Sequence, residues 1–494
     1  MKPSVIAIAI IFGIILLAAV TGLFAGVRRR MNLEQWTVAG RGFGLVLVWL
    51  LMAGEIYTTF AFLGASGWAY SRGGPVLYVM AYITLAYVVS FFLLPEVWDV
   101  GRKFALHTES DFFLQRYGSK YLAALVAVVG VVFIVPYLQL QLTGLGIIVS
   151  VASFQAISRP LAMMIAFIIV AGFVLSGGIR SVAWVSVLKD SLMLIAAFSI
   201  GIGIPYHYFG GIAQMFKTLA QAKPAHLTMP GGTANMGHAW YITTVLLTTL
   251  GFYMWPHTFG SVFTAKSGDT LRRNAVIMPL YSITLPLLLF VGFSAILVIP
   301  GLKNGDLSLL TLVRQTFPAW FLGVVGGAGA LTAMVPAAIL ILTASALFAK
   351  NFVRLLFAPA MSDDAVAKLA KVMVVVITGV ALYFAIYSST TLVQLLLLAY
   401  AGIAQFFPGV VLGLFWRRVT MTGVFSGLVI GVGTTGFLLL SKHDPFFGLN
   451  AGFVALCLNF VITVAVSVVT AAERSGFEER AESAAAVVER RINS

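Results

Sequence analysis

The apolar positions of this chain fall into long, nearly uninterrupted runs, with polar residues gathered in the short stretches between them. Most runs reach about twenty residues, which is the length that a helix needs to cross the hydrocarbon core of a bilayer. The pattern therefore predicts about thirteen membrane-spanning helices. They are expected at 4–27, 43–71, 75–98, 119–152, 160–178, 182–208, 237–263, 274–300, 319–353, 364–388, 390–416, 421–441 and 448–472.

Basic residues lie mostly in alternate loops between these runs. Arg28, Arg29 and Arg30 follow the first run instead of preceding it, so this run is predicted to be a retained helix and not a signal peptide. The alternation predicts a bacterial-type cytoplasmic (inner) membrane protein with its N-terminus outside and its C-terminus in the cytoplasm. The outer loops hold only scattered cations, among them Arg72, Arg159, Lys303 and Lys442.

Composition narrows the class of protein. Hydrophobic residues make up 60% of the 494 positions and charged residues 10%, whereas soluble chains contain about 25% charged residues. The net charge of +14 comes from loop residues, so we expect the lipid bilayer and not nucleic acid as the partner. With Cys457 as its one cysteine, and no P-loop or His/Cys cluster, the chain is expected to be no enzyme and to need no metal or other cofactor. Transport is expected to be driven by a gradient.

Two of the runs carry helix-breaking residues near their middle. The second run places Glu55 beside Gly54 and a group of hydroxyls, and the seventh places Pro256 beside His257. Secondary transporters bind solutes where helices break at equivalent points of two repeats. The two runs open five-helix units, which predicts an inverted repeat. The expected divisions are 1–42, an N-terminal extra helix and loop; 43–208, the first repeat; 209–236, an outer loop; 237–416, the second repeat; 417–472, two C-terminal helices; and 473–494, a cytoplasmic tail.

Each intramembrane polar residue has a structural alternative to a functional role. Glu55 and His257 could be paired or hydrogen-bonded for structure alone, although ionisable groups in membrane helices are functional by default. Lys189 lies about two turns from the end of its helix, so its stem could snorkel to the headgroups. Gln141 could serve as a hydrogen bond between helices as readily as a solute ligand.

Three segments resemble the sodium/solute symporter family in the order and positions that the family shows. They are QWTVAGR at 35–41, SGGIRSVAW at 176–184 and GLFWRRVT at 413–420. The resemblance implies an all-α membrane protein with a LeuT-type fold, in which a 5+5 inverted repeat is preceded by one extra helix and followed by two. Further segments, among them Trp255-Pro256-His257, resemble the branch of monocarboxylate permeases that carry pyruvate and lactate.

The chain departs from the family pattern where sodium is expected to bind. Val335 and Pro336 stand in place of a hydroxyl pair, and neither offers the side-chain oxygen that a hard cation needs. In the fifth core helix, Ser186 and Lys189 replace an aspartate and a glutamine. The resemblance thus implies a degenerate sodium site at Val335 and Pro336, with the Lys189 ammonium in the electrostatic role of the ion.

These observations predict uptake of a short monocarboxylate, pyruvate-like or lactate-like, by proton symport with alternating access. The alternatives are a sodium-coupled symporter of another small organic acid or amino acid, and a membrane sensor that uses the transporter fold. A small organic acid is the expected partner, and no obligate protein partner is evident. Glu55, Lys189 and His257 are the predicted ion-coupling residues. The predicted substrate-binding residues are Tyr57, Thr58, Thr59, Gln141, Trp255 and His257.

Overall fold

The structure is a computed structural model that describes residues 2–26, 38–176, 179–231 and 236–470. Within these ranges the chain is helical nearly throughout and forms no β-strand beyond two isolated bridges. Several sequence-based predictions lie outside the described residues. They concern the arginines at 28–30, the first part of the motif at 35–41, the glycines at 177 and 178, and the tail at 473–494.

Within its described residues, the first half of the chain forms nine α-helices, of which the second and third are one span broken in the middle. A π-helical turn at Phe60–Gly64 connects these two, and they are bent by 55°. The helices are α1 (Pro3–Gly26), α2 (Leu45–Ile56), α3 (Ala65–Arg72), α4 (Tyr78–Lys103), α5 (Glu109–Tyr117), α6 (Lys120–Ala152), α7 (Arg159–Ser176), α8 (Ile179–Phe209) and α9 (Ile212–Ala222).

The second half begins with another broken span and ends with two helices that pair with each other. These helices are α10 (His238–Gly251), α11 (Pro256–Val262), α12 (Gly268–Ile277), α13 (Thr284–Val298), α14 (Ser308–Thr316), α15 (Ala319–Ala346, continued by a π-helical turn to Arg354), α16 (Asp363–Tyr387), α17 (Leu392–Ile403), α18 (Phe407–Phe415), α19 (Met421–Leu440) and α20 (Ala451–Val469).

Ten helices of the described chain are long and apolar enough to cross a membrane, or eleven when the bent pair counts as one span. Two of the thirteen predicted spans do not meet this test. The run at 160–178 contains a shorter apolar helix, Arg159–Gly172, and the run at 237–263 is divided between α10 and α11. The chain is thus an integral membrane protein, while the count of thirteen spans stays a prediction.

Glycines allow the helices outside the central bundle to pack closely. Helix α15 is the most buried span, and α1 crosses it at Gly323 and Gly327, where an added Cβ would meet Ile10 at 2.8 Å and Ile14 at 2.4 Å. In α19, Gly427 is so close to α20 that a Cβ there would lie 2.0 Å from the Thr463 hydroxyl. The hydrophobic effect does not drive helices together in lipid. Small residues at such spacing allow close van der Waals packing, which stabilises the helix pairs instead. They hold the extra helices against the bundle.

Candidate functional site

The first broken span ends its helix at the residues singled out in the sequence. Helix α2 stops at Ile56, and the backbone N–H of Tyr57 donates to the carbonyl of Ala53 at 2.9 Å. The Thr58 hydroxyl then accepts from the N–H of Phe60 at 3.2 Å and so satisfies an exposed donor at the start of the next helical turn. The break leaves the carbonyls of the last turn of α2 available to other groups.

The second broken span turns at Trp255. Helix α10 ends at Gly251, and Trp255 has an extended backbone (φ −66°, ψ 125°) directly before Pro256 opens α11. Proline suits this first helical position because its fixed φ is helical and its missing N–H would have no partner there. The extended Trp255 and the following proline therefore end α10 and begin α11 within five residues.

A small central cavity lies between the two breaks. Its volume is about 20 Å³, which is room for about one water molecule. Aromatic rings form most of the wall, so the cavity is closed to any larger solute in this conformation. The lining residues are Glu55, Ile56, Phe60, Tyr82, Tyr137, Phe252, Trp255, His257, Thr258, Leu396 and Tyr400.

Glu55 and His257 supply the ionisable groups of this cavity, and each keeps an unused polar atom. The Ser261 hydroxyl donates to Oε1 of Glu55, whereas Oε2 has no hydrogen-bond partner in the described part of the chain. The same holds for Nδ1 of His257. Both side chains are buried, and buried polar atoms are rarely left unpaired in a native structure. The two atoms are thus available to a bound water or solute.

Lys189 reaches into the first break from α8. Its ammonium donates to the carbonyls of Ala53 at 3.2 Å and Gly54 at 3.3 Å, and it pairs with Asp190 at 2.8 Å. Lys189 is 0% exposed, which rules out snorkelling to the headgroups in this conformation. An ammonium has three donors, and three acceptors surround this one. The ion pair with Asp190 and the two hydrogen bonds to carbonyls stabilise the buried charge of Lys189.

Val335, one residue of the predicted degenerate sodium site, lies close to the first break. A Cβ placed on Gly54 would be 2.5 Å from the Ser186 hydroxyl and 3.6 Å from a methyl of Val335, so α2, α8 and α15 meet at this point. The Ser186 hydroxyl itself donates to the carbonyl of Val182 at 3.0 Å. Val335 and Pro336 contribute only carbon from their side chains. These two positions of α15 therefore supply no side-chain oxygen for a hard cation, and the degenerate sodium site stays a prediction.

The other predicted substrate-binding residues lie away from the cavity wall. The Tyr57 hydroxyl is hydrogen-bonded to Ser282 at 2.6 Å and to Tyr87 at 3.0 Å. Thr59 donates to Gln141 at 2.8 Å, and Thr58 bonds to the backbone as described above. In this conformation Tyr57, Thr59 and Gln141 connect helices and Thr58 bonds within its own span, while Trp255 and His257 line the cavity. Nε2 of Gln141 has no partner in the described structure. A hydroxyl-rich sequence near a helix break does not show whether a side chain will hydrogen-bond within the protein or line the cavity.

The sodium:solute symporter family matches the chain over residues 36–431. The chain belongs to this family. This symporter is 45% identical, over 96% of its length and 99% of the relative's, to the uncharacterized symporter YhjB of Bacillus subtilis. It is 30% identical, over 93% and 96%, to a monocarboxylate transport permease protein of Rhizobium johnstonii. In fold it matches a Na+-coupled sialic acid symporter with a TM-score of 0.80 at 16% identity, covering 94% of this symporter and 98% of that chain.

The family match and the structural match confirm the family and the LeuT-type fold that the sequence motifs predicted. As a member of this family, the symporter is a transporter of a small solute and not an enzyme. Its bacterial relatives and its membrane helices agree with an inner-membrane location. The division of the chain into two repeats at stated boundaries and the orientation of the termini stay predictions.

Sequence reasoning missed three residues of this symporter's site. Asp190 is the partner of Lys189, and Tyr281 donates to Asp190 at 3.0 Å. Ser261, the donor to Glu55, lies four residues after His257 on the same helical stretch, so its face could have been recognised from the spacing. Asp190 carried a signal as well, since a carboxylate next to a lysine within an apolar run needs a partner.

A second cavity of about 30 Å³ continues from the site toward the predicted cytoplasmic side, and His257 lines both cavities. Beyond it, Lys350 pairs with Asp111 at 2.6 Å, and Asn351 donates to Asp111 at 2.8 Å. Burial opposes the charge on Asp111, but Lys350 and the hydrogen bonds outweigh it and lower the pKa of Asp111 to about 2. The stabilisation from this lowered pKa is lost only as the pH falls toward 2, so the pair stays charged near neutral pH.

Proposed function

We propose that this symporter takes up a short monocarboxylate, of the size of pyruvate or lactate, together with a proton. In this proposal the C-terminus lies in the cytoplasm and the solute binds between the two helix breaks. The observation that carries the proposal is the Lys189 ammonium on the carbonyls of Ala53 and Gly54, at the point where the family pattern leads one to expect sodium.

The ammonium makes sodium binding at this point unfavourable. Two unit positive charges about 4 Å apart repel by about 4 kcal/mol at an effective dielectric constant of about 20. Asp190 offsets part of this repulsion, but the ammonium also occupies the carbonyls of Ala53 and Gly54 that a sodium ion would use as ligands. Val335 and Pro336 offer no side-chain oxygen in their place. We therefore propose that a proton gradient, and not a sodium gradient, drives uptake.

Glu55 is the group that we propose carries the proton. Its Oε2 is free within the described structure and its side chain faces the central cavity. A substrate carboxylate entering that cavity brings a second negative charge close to Glu55. Like charges at short distance favour uptake of one proton by the pair. Solute binding and proton binding are coupled in this way without any further cofactor.

His257 and Trp255 are the residues that we propose orient the solute. The unpartnered Nδ1 of His257 supplies a polar contact for a carboxylate or carbonyl oxygen, and the indole of Trp255 covers the carbon chain. Pockets of this kind combine an apolar wall with few polar groups that fix orientation. The similarity to a monocarboxylate transport permease protein supports the choice of substrate class.

The test is uptake and counterflow of labelled pyruvate and lactate in proteoliposomes, with proton and sodium gradients set independently. We expect accumulation under an inward proton gradient in sodium-free buffer. Accumulation that requires sodium and ignores a pH step would overturn the proton coupling and favour the sodium-coupled alternative, which the similarity to sodium/pantothenate symporters supports. Absence of counterflow for every short monocarboxylate would overturn the substrate class and leave two alternatives: a sodium-coupled symporter of another small organic acid or amino acid, and a sensor.

A further inference from the structure

Asp306, in a loop on the predicted outer side, is buried where several helices meet. It belongs to a short helical turn, Gly305–Leu307, in the connection between α13 and α14, outside the membrane spans. Asp306 is 2% exposed, and its Oδ2 accepts from the backbone N–H of Leu392, the first residue of α17, at 3.1 Å. The side chain of an outer loop is thus hydrogen-bonded to the start of a membrane-spanning helix.

Glycines bring the outer half of the first broken span against the same carboxylate. A Cβ added to Gly67 of α3 would lie 2.7 Å from Oδ1 of Asp306. One added to Gly305 would overlap the carbonyl oxygen of Gly67. Neither position has room for a side chain, so α3 packs directly on the turn that carries Asp306. The carboxyl group therefore contacts α3 on one side and α17 on the other.

These two elements also form part of the wall of the central cavity. Phe60, in the π-helical turn before α3, and Leu396, in α17, line that cavity. Four residues further along each element toward the outer side, a Cβ on Gly64 would lie 3.1 Å from Cβ of Leu392, so the two walls touch there. Opening this contact toward the outside has to separate Asp306 from α3 or from α17.

The negative charge of Asp306 has little compensation in this closed arrangement. In the described chain its carboxyl group has the N–H of Leu392 as a donor and forms no ion pair. Burial raises the pKa of Asp306 to about 7, and the hydrogen bond from Leu392 and the charge of Arg159 lower it by less. A carboxyl group in this place therefore binds a proton near neutral pH.

The elements packed against Asp306 carry few other charged or titratable groups. The Tyr70 hydroxyl is hydrogen-bonded to two backbone groups, and Arg314 packs over Phe154. Arg159 is the cation that lowers the pKa of Asp306, although it forms no ion pair with it in the described structure. The groups are Arg159 on α7, Tyr70 and Arg72 on α3, Arg314 on α14, Tyr400 on α17 and Lys303 in the loop itself.

We propose that the carboxyl group of Asp306 is an outer proton-binding site, and that a proton bound there keeps α3 and α17 together above the central cavity. The reason is a difference in hydration between two conformations. In the closed one the carboxyl group is buried, and protonation removes a charge that is costly to bury. When the walls part, water reaches the carboxyl group and stabilises its ionised form. Acid outside the cell therefore favours the closed form.

The direction of this pH dependence follows from linkage between proton binding and closure. Asp306 has a pKa of about 7 when buried, whereas its ordinary value is 3.8, so the closed form binds the proton more tightly. The stabilisation of the closed form is fully present below the ordinary pKa and is lost as the pH rises through about 7. Between these values the ratio of closed to open protein changes by up to about tenfold per pH unit.

The test measures how readily a thiol in the central cavity is reached from outside. In full-length protein carrying Cys457→Ser, the substitution Thr258→Cys places the only thiol in the cavity wall with little change in size. Right-side-out vesicles, without solute and without any ion gradient, are treated with sulfonatoethyl methanethiosulfonate, which does not cross membranes. Labelling rates with and without Asp306→Asn are compared at the same pH, so that ionisation of the thiol cancels from their ratio.

We expect the protein that keeps Asp306 to be labelled faster than Asp306→Asn at about pH 8, where the carboxylate is ionised and favours the open form. This ratio should fall by about tenfold or more at about pH 5. The reagent is an anion, so repulsion by the Asp306 charge alone would produce the opposite order. A ratio that does not change with pH, or that rises toward acid, overturns the proposal.

Asp444→Asn is the matched control. Asp444 is another aspartate of the predicted outer side, and it too accepts a backbone N–H, that of Ala451 at 3.0 Å. It lies in the turn between α19 and α20 and does not join the two cavity walls. The ratio of labelling rates with and without Asp444→Asn should therefore be the same at both pH values. A ratio that falls toward acid as it does for Asp306→Asn overturns the assignment to Asp306.

Two further variants keep the result decisive if the first ones do not fold. Leu396→Cys replaces Thr258→Cys as the thiol of the cavity wall. Arg159→Gln leaves Asp306 in place but removes the cation that lowers its pKa, so this pKa should rise further. The variant should then be labelled more slowly than its parent near about pH 7.5 and equally fast near about pH 9. No deficit, or a deficit of equal size at both values, contradicts the proposal.

The result is separable from the proposed function, because the labelling requires neither solute nor gradient. If the proposed function alone is wrong, pyruvate uptake fails or requires sodium, while the labelling ratio for Asp306→Asn still falls in acid. If the outer proton site alone is wrong, proton-driven uptake proceeds and the labelling ratio is constant with pH.

Discussion

The two helix breaks look alike in the sequence but are filled differently in the structure. At the first, the carbonyls of Ala53 and Gly54 meet the ammonium of Lys189, and the Tyr57 hydroxyl meets Ser282. At the second, His257 lines the cavity with its Nδ1 unpartnered within the described chain. The protein itself occupies the carbonyls of the first break, whereas Oε2 of Glu55 and Nδ1 of His257 have no partner in the described chain.

The comparison separates two tasks that a broken helix can serve. Buried polar groups that already have partners resist change, because losing a partner leaves a donor or acceptor unsatisfied in a low-dielectric site. Buried polar groups without partners are free to hydrogen-bond to a ligand. We therefore propose that the carbonyls and the ammonium at the first break are the fixed part of this symporter, and that Glu55 and His257 exchange the proton and the solute.

The largest effect is expected from Lys189→Ala at the first break. Breaking a buried ion pair by removing one partner costs about 3–5 kcal/mol, because Asp190 and two carbonyls lose their cation. We expect accumulation of pyruvate in proteoliposomes to fall to background.

Two controls accompany this substitution. Lys217→Ala, at an exposed lysine of α9, is expected to transport as wild type. The pair Lys189→Ala with Asp190→Asn removes the orphaned charge and should recover insertion and thermal stability but not accumulation. Normal accumulation by Lys189→Ala alone would contradict the resident-cation role.

Glu55→Gln is expected to separate exchange from accumulation. The amide keeps the shape of the carboxyl group and its contact with Ser261 but cannot release a proton. Counterflow of labelled pyruvate should persist, while uptake against a gradient should fail. Glu96→Gln, at a half-buried carboxylate of α4 outside the cavity wall, is the matched control. Concentrative uptake by Glu55→Gln would assign Glu55 a structural role only.

His257→Phe at the second break should weaken solute binding without destabilising the fold. The substitution removes a nitrogen that has no partner in the described structure, so no internal hydrogen bond is lost. A contact to a charged carboxylate is worth about 1.5 kcal/mol or more, which predicts an increase in KM of about tenfold. Initial rates of proton-driven uptake measure it. An unchanged KM, or a large drop in melting temperature, would show that His257 packs and does not bind.

The smallest effect is expected from Tyr57→Phe. Because the Tyr57 hydroxyl bonds to Ser282 and Tyr87, its loss should lower the free energy of unfolding by about 1 kcal/mol and leave KM unchanged. Thermal unfolding in detergent and the KM for pyruvate are measured together. Tyr383→Phe, at an exposed tyrosine, should change neither. A raised KM for Tyr57→Phe would restore Tyr57 to the substrate-binding residues predicted from the sequence.

Most of the fold could be predicted from the sequence, because runs of apolar residues and the residues that interrupt them are visible along the chain itself. The helix ends near Tyr57 and Trp255 follow from Gly54 and Pro256, and the family motifs supplied the topology. The number of spans is harder to predict, since α10 and α11 are each too short to count on their own.

A residue of the site could be predicted only where its side chain has few possible surroundings in a membrane. Lys189 within an apolar run had to find acceptors or the headgroups, and in the structure it donates to the carbonyls of Ala53 and Gly54. Hydroxyl and amide side chains such as Thr59 and Gln141 hydrogen-bond to each other as readily as to a solute, and Nε2 of Gln141 still has no partner in the described structure, so sequence could not assign them. The pairing of Asp190 with Lys189 depends on the rotamers of the two side chains, which the sequence does not specify.

The resident ammonium also has an electrical consequence. A sodium ion that accompanies an anion brings its charge across the membrane and leaves with it, whereas the charge of Lys189 stays with the helix. If one proton accompanies one monocarboxylate, the translocated cargo is neutral. Uptake would then not respond to membrane voltage, which otherwise contributes about 2.3 kcal/mol per charge per 100 mV. Accumulation would follow the pH difference alone, by about tenfold for each unit, so this symporter would keep working in a depolarised cell that still holds a pH gradient.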